Sequence, residues 1–378
     1  MRKERTWIEI NERALTSNIH QLRSISSGAR FCAVLKANAY GHGLSEVSRI
    51  VGRAGVDCFG VDSIDDALFL RERFPSTLII VLGFVLPTRF EEAIHHQIEL
   101  TMYDREGLEE LQAVAAKSAS QVFIHLKLET GTSRQGVLEE DLQELLKLFQ
   151  SSKHLVLSGV STHFANIEEV DTPEYASLQF DRFSQQVKLI QENGLSPEFI
   201  HCACSAAIIL YPDTHGTLVR SGISMYGIWP SEETQSAARK REFSIDLEPV
   251  LQWKTRIAQI KSLPAGTPVS YGLTEILSKR SRIAVLPVGY SDGYDRRLSS
   301  KGEVLVSGYR CKVIGRVCMN MTMVDVSAVP NPEKEQEVIL LGRDGRNEIL
   351  ANQTADRIGT IGYEILARIN STLPRIVV

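Results

Sequence analysis

The sequence lacks the features that would place it outside the ordinary globular class. No apolar run approaches the ~20 residues that a membrane-spanning helix needs. The stretch Met1 to Trp7 is basic but is not followed by the apolar segment of a secretion signal. There is no strong excess of one charge: 42 Lys and Arg stand against 46 Asp and Glu, a net charge of -4. That balance gives no basic surface for nucleic acid or for an anionic membrane. The six cysteines, at 32, 58, 202, 204, 311 and 318, form no CxxC pair, so no structural zinc site and no metal is expected. They read as buried thiols of a reducing compartment. No internal repeat and no low-complexity segment occurs. The expectation is a cytoplasmic protein with no membrane and no nucleic-acid partner.

What is there is an α/β pattern that changes partway. With 378 residues, 43% hydrophobic and 23% charged, two domains are expected. In the first part, short apolar runs at 31–35, 58–61, 78–82, 98–102, 122–128, 155–160, 199–202 and 218–219 read as buried strands. Amphipathic stretches lie between most of them: Leu15, Ile19 and Leu22 share one helical face, and Leu108, Leu111 and Ala115 another. Ser63, ahead of Ile64-Asp65-Asp66, reads as a helix N-cap. Eight strands with helical crossovers predict an N-terminal (β/α)8 TIM barrel over residues 11–240. The polar stretch 231–242 reads as a linker. After it, strand-like runs at 251–260, 283–286, 304–306, 311–317, 322–326 and 338–341, separated by turn residues, predict a mostly-β C-terminal domain. That domain spans 241–378 together with residues 1–10, because 7–10 is an isolated strand candidate that can pair with it. Two short helices are expected near 350–358 and 361–369.

In a barrel of this kind, chemistry gathers where strands run out into the following loops. Those ends carry Lys36, Lys127, His163, Ser205 and Arg220. Any one alone is most simply a solvated strand end; five together are not. Lys36 closes an apolar strand and precedes Ala37-Asn38-Ala39-Tyr40-Gly41-His42-Gly43. A desolvated lysine gives up its proton readily and becomes a nucleophile toward an aldehyde. His42 alone reads as a loop residue.

The run Ala33 to Gly43 closely resembles the pyridoxal-phosphate attachment motif of alanine racemases. The resemblance continues through His125 to Gly131, Ser133-Arg134, Thr162 to Ala165, Arg220, Gly222-Ile223, Met225 to Gly227, Val269 to Gly272, Gly289 to Gly293, Gly315 to Met319 and Tyr363 to Leu366. It implies a (β/α)8 barrel followed by a β domain. It also implies an alanine racemase that interconverts L- and D-alanine through an aldimine of pyridoxal 5'-phosphate, supplying D-alanine for peptidoglycan.

The same resemblance implies the site. Lys36 would hold the cofactor and act as one base, with Tyr271 as the opposite base. A free phenol has a pKa of about 10 and needs help to work near neutrality; His163 and a cation such as Arg220 would provide it. Arg220 would hydrogen-bond the cofactor's pyridine nitrogen, which it cannot protonate. The phosphate would rest on Tyr40, Ser205, the amides of Gly222 and Ile223, and Tyr363. Arg134 and the Met319 amide would bind the substrate carboxylate, and Tyr290 would line the substrate's approach. Lys127 matches a position that is often carbamylated to pair with that arginine. Tyr271 and Met319 would serve the partner subunit's cofactor, making a homodimer part of the mechanism.

Departures from the family pattern fall at Thr132, Cys204 and Asn320, and in Thr372-Leu373 before Pro374-Arg375. Thr132 and Asn320 bear on substrate range, so a broader or serine-type racemase is one alternative. A non-catalytic pyridoxal-phosphate-binding protein is another.

Overall fold

The computed structural model describes residues 3–241 and 245–378. They form two compact units, one of Met1–Leu15, Asn38–Val47 and Glu248–Val378, the other of Thr16–Ala37 and Ser48–Leu247. The first strand, β1 (Thr6–Ile10), belongs to the former. The latter holds eight parallel strands: β2 (Arg30–Val34), β3 (Cys58–Val61), β4 (Leu78–Val81), β5 (Glu99–Met102), β6 (Val122–Lys127), β7 (Leu155–Ser161), β8 (Phe199–His201) and β9 (Leu218–Ser221). Their order, β8-β7-β6-β5-β4-β3-β2-β9, brings the ends of the path together. Thr217 N donates to Ile200 O at 2.9 Å and Arg220 N to Ala203 O at 3.0 Å, drawing β9 up to β8. The result is the near-closed barrel that the alternating pattern predicts.

Local chemistry explains the crossovers. Ser63 Oγ accepts from Asp66 N at 3.1 Å and starts the helix Ile64–Arg73, satisfying one of the donors a helix start leaves open. Leu108, Leu111 and Ala115 form the buried face of Arg105–Lys117, as their spacing predicts. Ile79, Ile80 and Val81 of β4 are fully buried, each removal from water being worth about 1.5–3 kcal/mol.

The stretch 231–242 is not simply a connection. Ser231 caps a helix, Glu232–Lys240, by accepting from Thr234 N at 3.0 Å. Glu232 and Glu233 lie in its first turn, Arg239 and Lys240 in its last, each complementing the helix dipole. Its buried side is Thr234, Ala237 and Ala238, too weakly apolar to register as a period. Position 242, where the expected linker ends, lies outside the described residues.

In the β-rich unit, six strands run in the order Tyr309–Lys312, Glu303–Val306, Glu337–Asp344, Leu251–Arg256, β1 and Arg375–Val377, and Asn347–Ile349 adds to Glu337–Asp344. β1 pairs antiparallel with Leu251–Arg256, Ile8 opposite Trp253, so the isolated N-terminal strand does join the β domain. Trp7 and Trp253 are fully buried there. A second sheet pairs Gln259–Leu263, Ser281–Leu286 and Thr322–Asp325. The single strand predicted at 251–260 is therefore two, in different sheets. The switch falls at Ile257, which donates to Gln336 O, and Ala258, which donates to Val285 O. The strand expected at 311–317 is Tyr309–Lys312, and the chain turns at Gly315, whose φ is 70°. No helix among the described residues is long and apolar enough to cross a membrane.

Candidate active site

The barrel's strand ends place a cluster of cations together. Lys36 follows β2 with only Leu35 between. Burial lowers its pKa; Asp62 opposes this, while Arg134 and Arg220 reinforce it. Lys127 is the last residue of β6 and is buried, its Nζ reaching Gln135 Oε1 at 3.4 Å. Burial, then Arg134, Arg220 and Lys36, push its pKa down to about 8. His163, just beyond β7, is held well below the usual histidine range by burial and by the same four cations, so its imidazole is neutral. Arg134 follows a loop organised by Glu129. Burial pushes that carboxyl up, but N–H groups of Ser133, Gly131, Arg134 and Thr132 outweigh it and hold it below the ordinary range. Thr132 Oγ1 also donates to Glu129, at 3.4 Å.

Arg220 is almost wholly buried in β9. Its Nη1 donates to His201 Nδ1 at 2.6 Å and His201 O at 2.7 Å. Its Nη2 donates to Thr162 O at 2.8 Å and Cys202 O at 3.2 Å. The four terminal N–H bonds are thus committed to the barrel. The fifth, on Nε, has no partner among the described residues, and guanidinium can donate but not accept.

Ser205 is tied to the turn that follows β9. Ser205 Oγ, at the start of the helix Ser205–Leu210, accepts from Gly222 N at 3.1 Å and Ser224 N at 3.3 Å. The buried hydroxyls of Ser221 and Ser224, flanking Gly222 and Ile223, have no partner among the described residues. Cys204 occupies the N-cap of the Ser205 helix and makes no side-chain cap bond. Among the described residues, no group of three or more His, Cys, Asp or Glu is arranged to hold a metal ion.

The segment after Lys36 is a turn of left-handed helix. Ala37, Asn38, Ala39 and Tyr40 have φ of 52°, 53°, 52° and 52°. Each such residue costs about 1–2 kcal/mol relative to the right-handed form, so the turn needs external supports. From Asn38 onward the segment belongs to the β-rich unit, which provides them. Asn38 Oδ1 accepts from Leu44 N at 2.8 Å. His42 Nδ1–H donates to Tyr40 O at 2.9 Å, and burial lowers the His42 pKa to about 4, leaving it neutral. Arg375 Nη2 donates to Gly41 O at 2.9 Å. A Cβ on Gly41 would stand 2.0 Å from Leu366 O, so only glycine fits there. Tyr40 and Tyr363 place their rings 6.1 Å apart.

Elsewhere in that unit, Tyr271 is 71% exposed and Met319 57% exposed. Tyr271 is no packed strand aromatic: it starts a one-turn helix, Tyr271–Leu273. Ser270, Gly272 and Leu273 around it all have positive φ, and Ser270 Oγ is tied to Arg316 O at 2.7 Å. Ser270 Oγ and Cys318 Sγ, 3.6 Å apart, join the Tyr271 segment to the Met319 segment. Met319 O accepts from Ser291 N and Oγ, and Asn320 Nδ2 donates to Ser291 Oγ at 2.6 Å. Sequence reasoning gave no role to His125, His201, Glu99, Ser158 or Asp62. A polar residue inside a barrel strand carries no local signal of its partner.

The chain matches the family models described as alanine racemase, N-terminal domain, over residues 10–230, and alanine racemase, C-terminal domain, over 250–377. It is 36% identical to an alanine racemase of Leptospira interrogans over 99% of this chain and 96% of that one. It is 38% identical to one of Carboxydothermus hydrogenoformans over 98% and 99%. Among solved structures, alanine racemase from the D-cycloserine producer Streptomyces lavendulae superposes with a TM-score of 0.94, at 32% identity, over 100% of this chain and 98% of that one. The Bacillus anthracis enzyme with bound L-Ala-P gives 0.92, at 34% identity, over 100% and 96%. Barrel and β-rich part both match along nearly their whole length, and the chain belongs to the alanine racemase family.

Proposed function

We propose that this protein interconverts L- and D-alanine with pyridoxal 5'-phosphate as cofactor, using Lys36 and Tyr271 as bases on opposite faces of the substrate. The observation that carries this is the uncommitted Nε–H of Arg220 in the same cation cluster as the desolvated amine of Lys36. The residues suit the cofactor's chemistry. A partly buried lysine meets an aldehyde, a donor-only guanidinium meets a ring nitrogen, and Ser205 with the amides of Gly222 and Ile223 meets a phosphate. Tyr40 and Tyr363 are the further phosphate hydroxyls. When bound, the cofactor supplies an electrophilic aldehyde and a conjugated ring that withdraws electrons from the carbon bearing the amino group.

The protein's own groups do the rest. Arg220 offers the ring nitrogen a hydrogen bond but no proton, because guanidinium stays charged. A donor that keeps its proton would leave a bound ring a weaker electron sink than a proton-giving acid at the same place would. Lys36 takes or returns the proton at Cα on one face, and Tyr271 does so on the other. His163, neutral, assists the phenol without adding charge. Arg134 and the Met319 amide hold the substrate carboxylate. Lys127, as a carbamate, would pair with Arg134 rather than repel it. Tyr271 and Met319 are exposed because they serve the partner subunit's site in a homodimer. Cytoplasmic placement and supply of D-alanine for peptidoglycan complete this reading.

The test is chiral analysis of L-alanine and L-serine incubated in heavy water with purified, cofactor-loaded protein. D-alanine should approach equality with L-alanine, carry deuterium at Cα, and outpace D-serine. If only serine racemises, the substrate assignment fails. If neither amino acid changes or exchanges, the protein is a cofactor carrier.

A further inference from the structure

Arg220 is one end of a chain of hydrogen bonds that crosses the barrel, with one side chain from each of five consecutive strands. His201 on β8 accepts from Arg220 through Nδ1. His201 Nε2 lies 2.8 Å from His125 Nδ1 on β6. His125 Nε2 lies 2.8 Å from Glu99 Oε2 on β5, which also accepts from Ser158 Oγ on β7 at 2.7 Å. His125 and His201 are buried, and the Glu99 side chain is 13% exposed. The arrangement is built for His125: a Cβ on residue 159 would stand 2.2 Å from its Nδ1, and that residue is glycine.

The direction of every bond follows from one end. A guanidinium only donates, so His201 Nδ1 is the acceptor and its proton sits on Nε2. His201 then donates to His125 Nδ1, leaving the His125 proton on Nε2, which donates to Glu99. Protonated imidazolium at His201 is disfavoured by burial and by Arg220. Two neutral histidines in one fixed tautomer therefore end on a carboxylate. Each bond polarises the next.

We propose that Glu99 is a positioning residue that, through His125 and His201, fixes the orientation of Arg220. This rests on the reading that Arg220 faces the cofactor ring, and it adds a residue in contact with neither cofactor nor substrate. Glu99 holds both imidazoles in the tautomer Arg220 requires. The terminal nitrogens of Arg220 stay anchored and Nε stays aimed away from them.

The experiment compares wild type with Glu99→Gln and Glu99→Leu. Gln keeps a carbonyl acceptor for His125; Leu does not. Histidine 15N NMR of the wild-type holoenzyme should show His125 and His201 both protonated on Nε2, and a different tautomer at either position overturns the proposal. Glu99→Leu should weaken pyridoxal 5'-phosphate binding about tenfold, in line with the loss of one charge-linked hydrogen bond, and shift the absorbance of the bound cofactor. Glu99→Gln should restore most of both. If Glu99→Leu lowers only the melting temperature, with spectrum and affinity unchanged, Glu99 is structural and the proposal is overturned. If the wild type binds no pyridoxal 5'-phosphate, the cofactor reading fails instead, and the apoprotein tautomers still decide the relay.

Discussion

Lys127 shares its surroundings with Lys36, Arg134 and Arg220, and Glu129 is the carboxylate that opposes them. With a pKa of about 8, a sizeable fraction is free amine near neutrality. A free amine attacks carbon dioxide, and the resulting carbamate replaces a repelled cation with an anion beside Arg134. Labelling with 13C-bicarbonate should therefore give a carbamate resonance that Lys127→Ala lacks. It should grow between about pH 7 and about pH 9, as the ammonium is lost. An unlabelled, unmodified lysine at every pH would contradict this. At this scale the sequence was legible where a polar residue ended an apolar run, as at Lys36, Lys127 and Arg220. It was silent on Glu99 and Ser158, whose role depends on a histidine that only strand pairing brings beside them, His125 on β6.

The element with the most stored strain is the turn from Ala37 to Tyr40. Its handedness sets an unusual sign for a mutation. Ala37 is exposed, so Ala37→Gly leaves no cavity. In a right-handed helix that change costs about 1 kcal/mol. Here it removes a left-handed penalty of about 1–2 kcal/mol, against about 0.5–1 kcal/mol of added unfolded-state entropy. The urea midpoint should rise, by the equivalent of about 0.5–1 kcal/mol, and a fall would contradict the left-handed turn. Strain at functional residues is expected where neighbouring structure over-determines the backbone; Asn38, His42 and Arg375 do that here. None of this was readable from Ala37 or Ala39, which have no preference for positive φ. The helix Glu232–Lys240 escaped for a different reason: its buried side is alanine and threonine. The break at Ile257–Ala258 escaped because partner choice is set by distant strands.

For the molecule as a whole, the alternation of strand and helix followed by a strand-rich stretch predicted a barrel and a β domain, because each periodicity reflects which side of an element is buried. No periodicity marked residues 38–47 as part of the β-rich unit. Tyr271, Leu273, Met319 and Met321 are all more than half exposed. Large apolar side chains in that setting call for a partner surface, and a second copy of the chain fits the proposed mechanism. The direct test is mixing. Lys36→Ala and Tyr271→Phe are each expected to be inactive as homodimers. When the two are refolded together, half the dimers are mixed, and each mixed dimer has one complete site, so about a quarter of wild-type racemisation should return. Mixed dimers verified by mass that remain as inactive as their parents would contradict a site built from Lys36 of one chain and Tyr271 of the other.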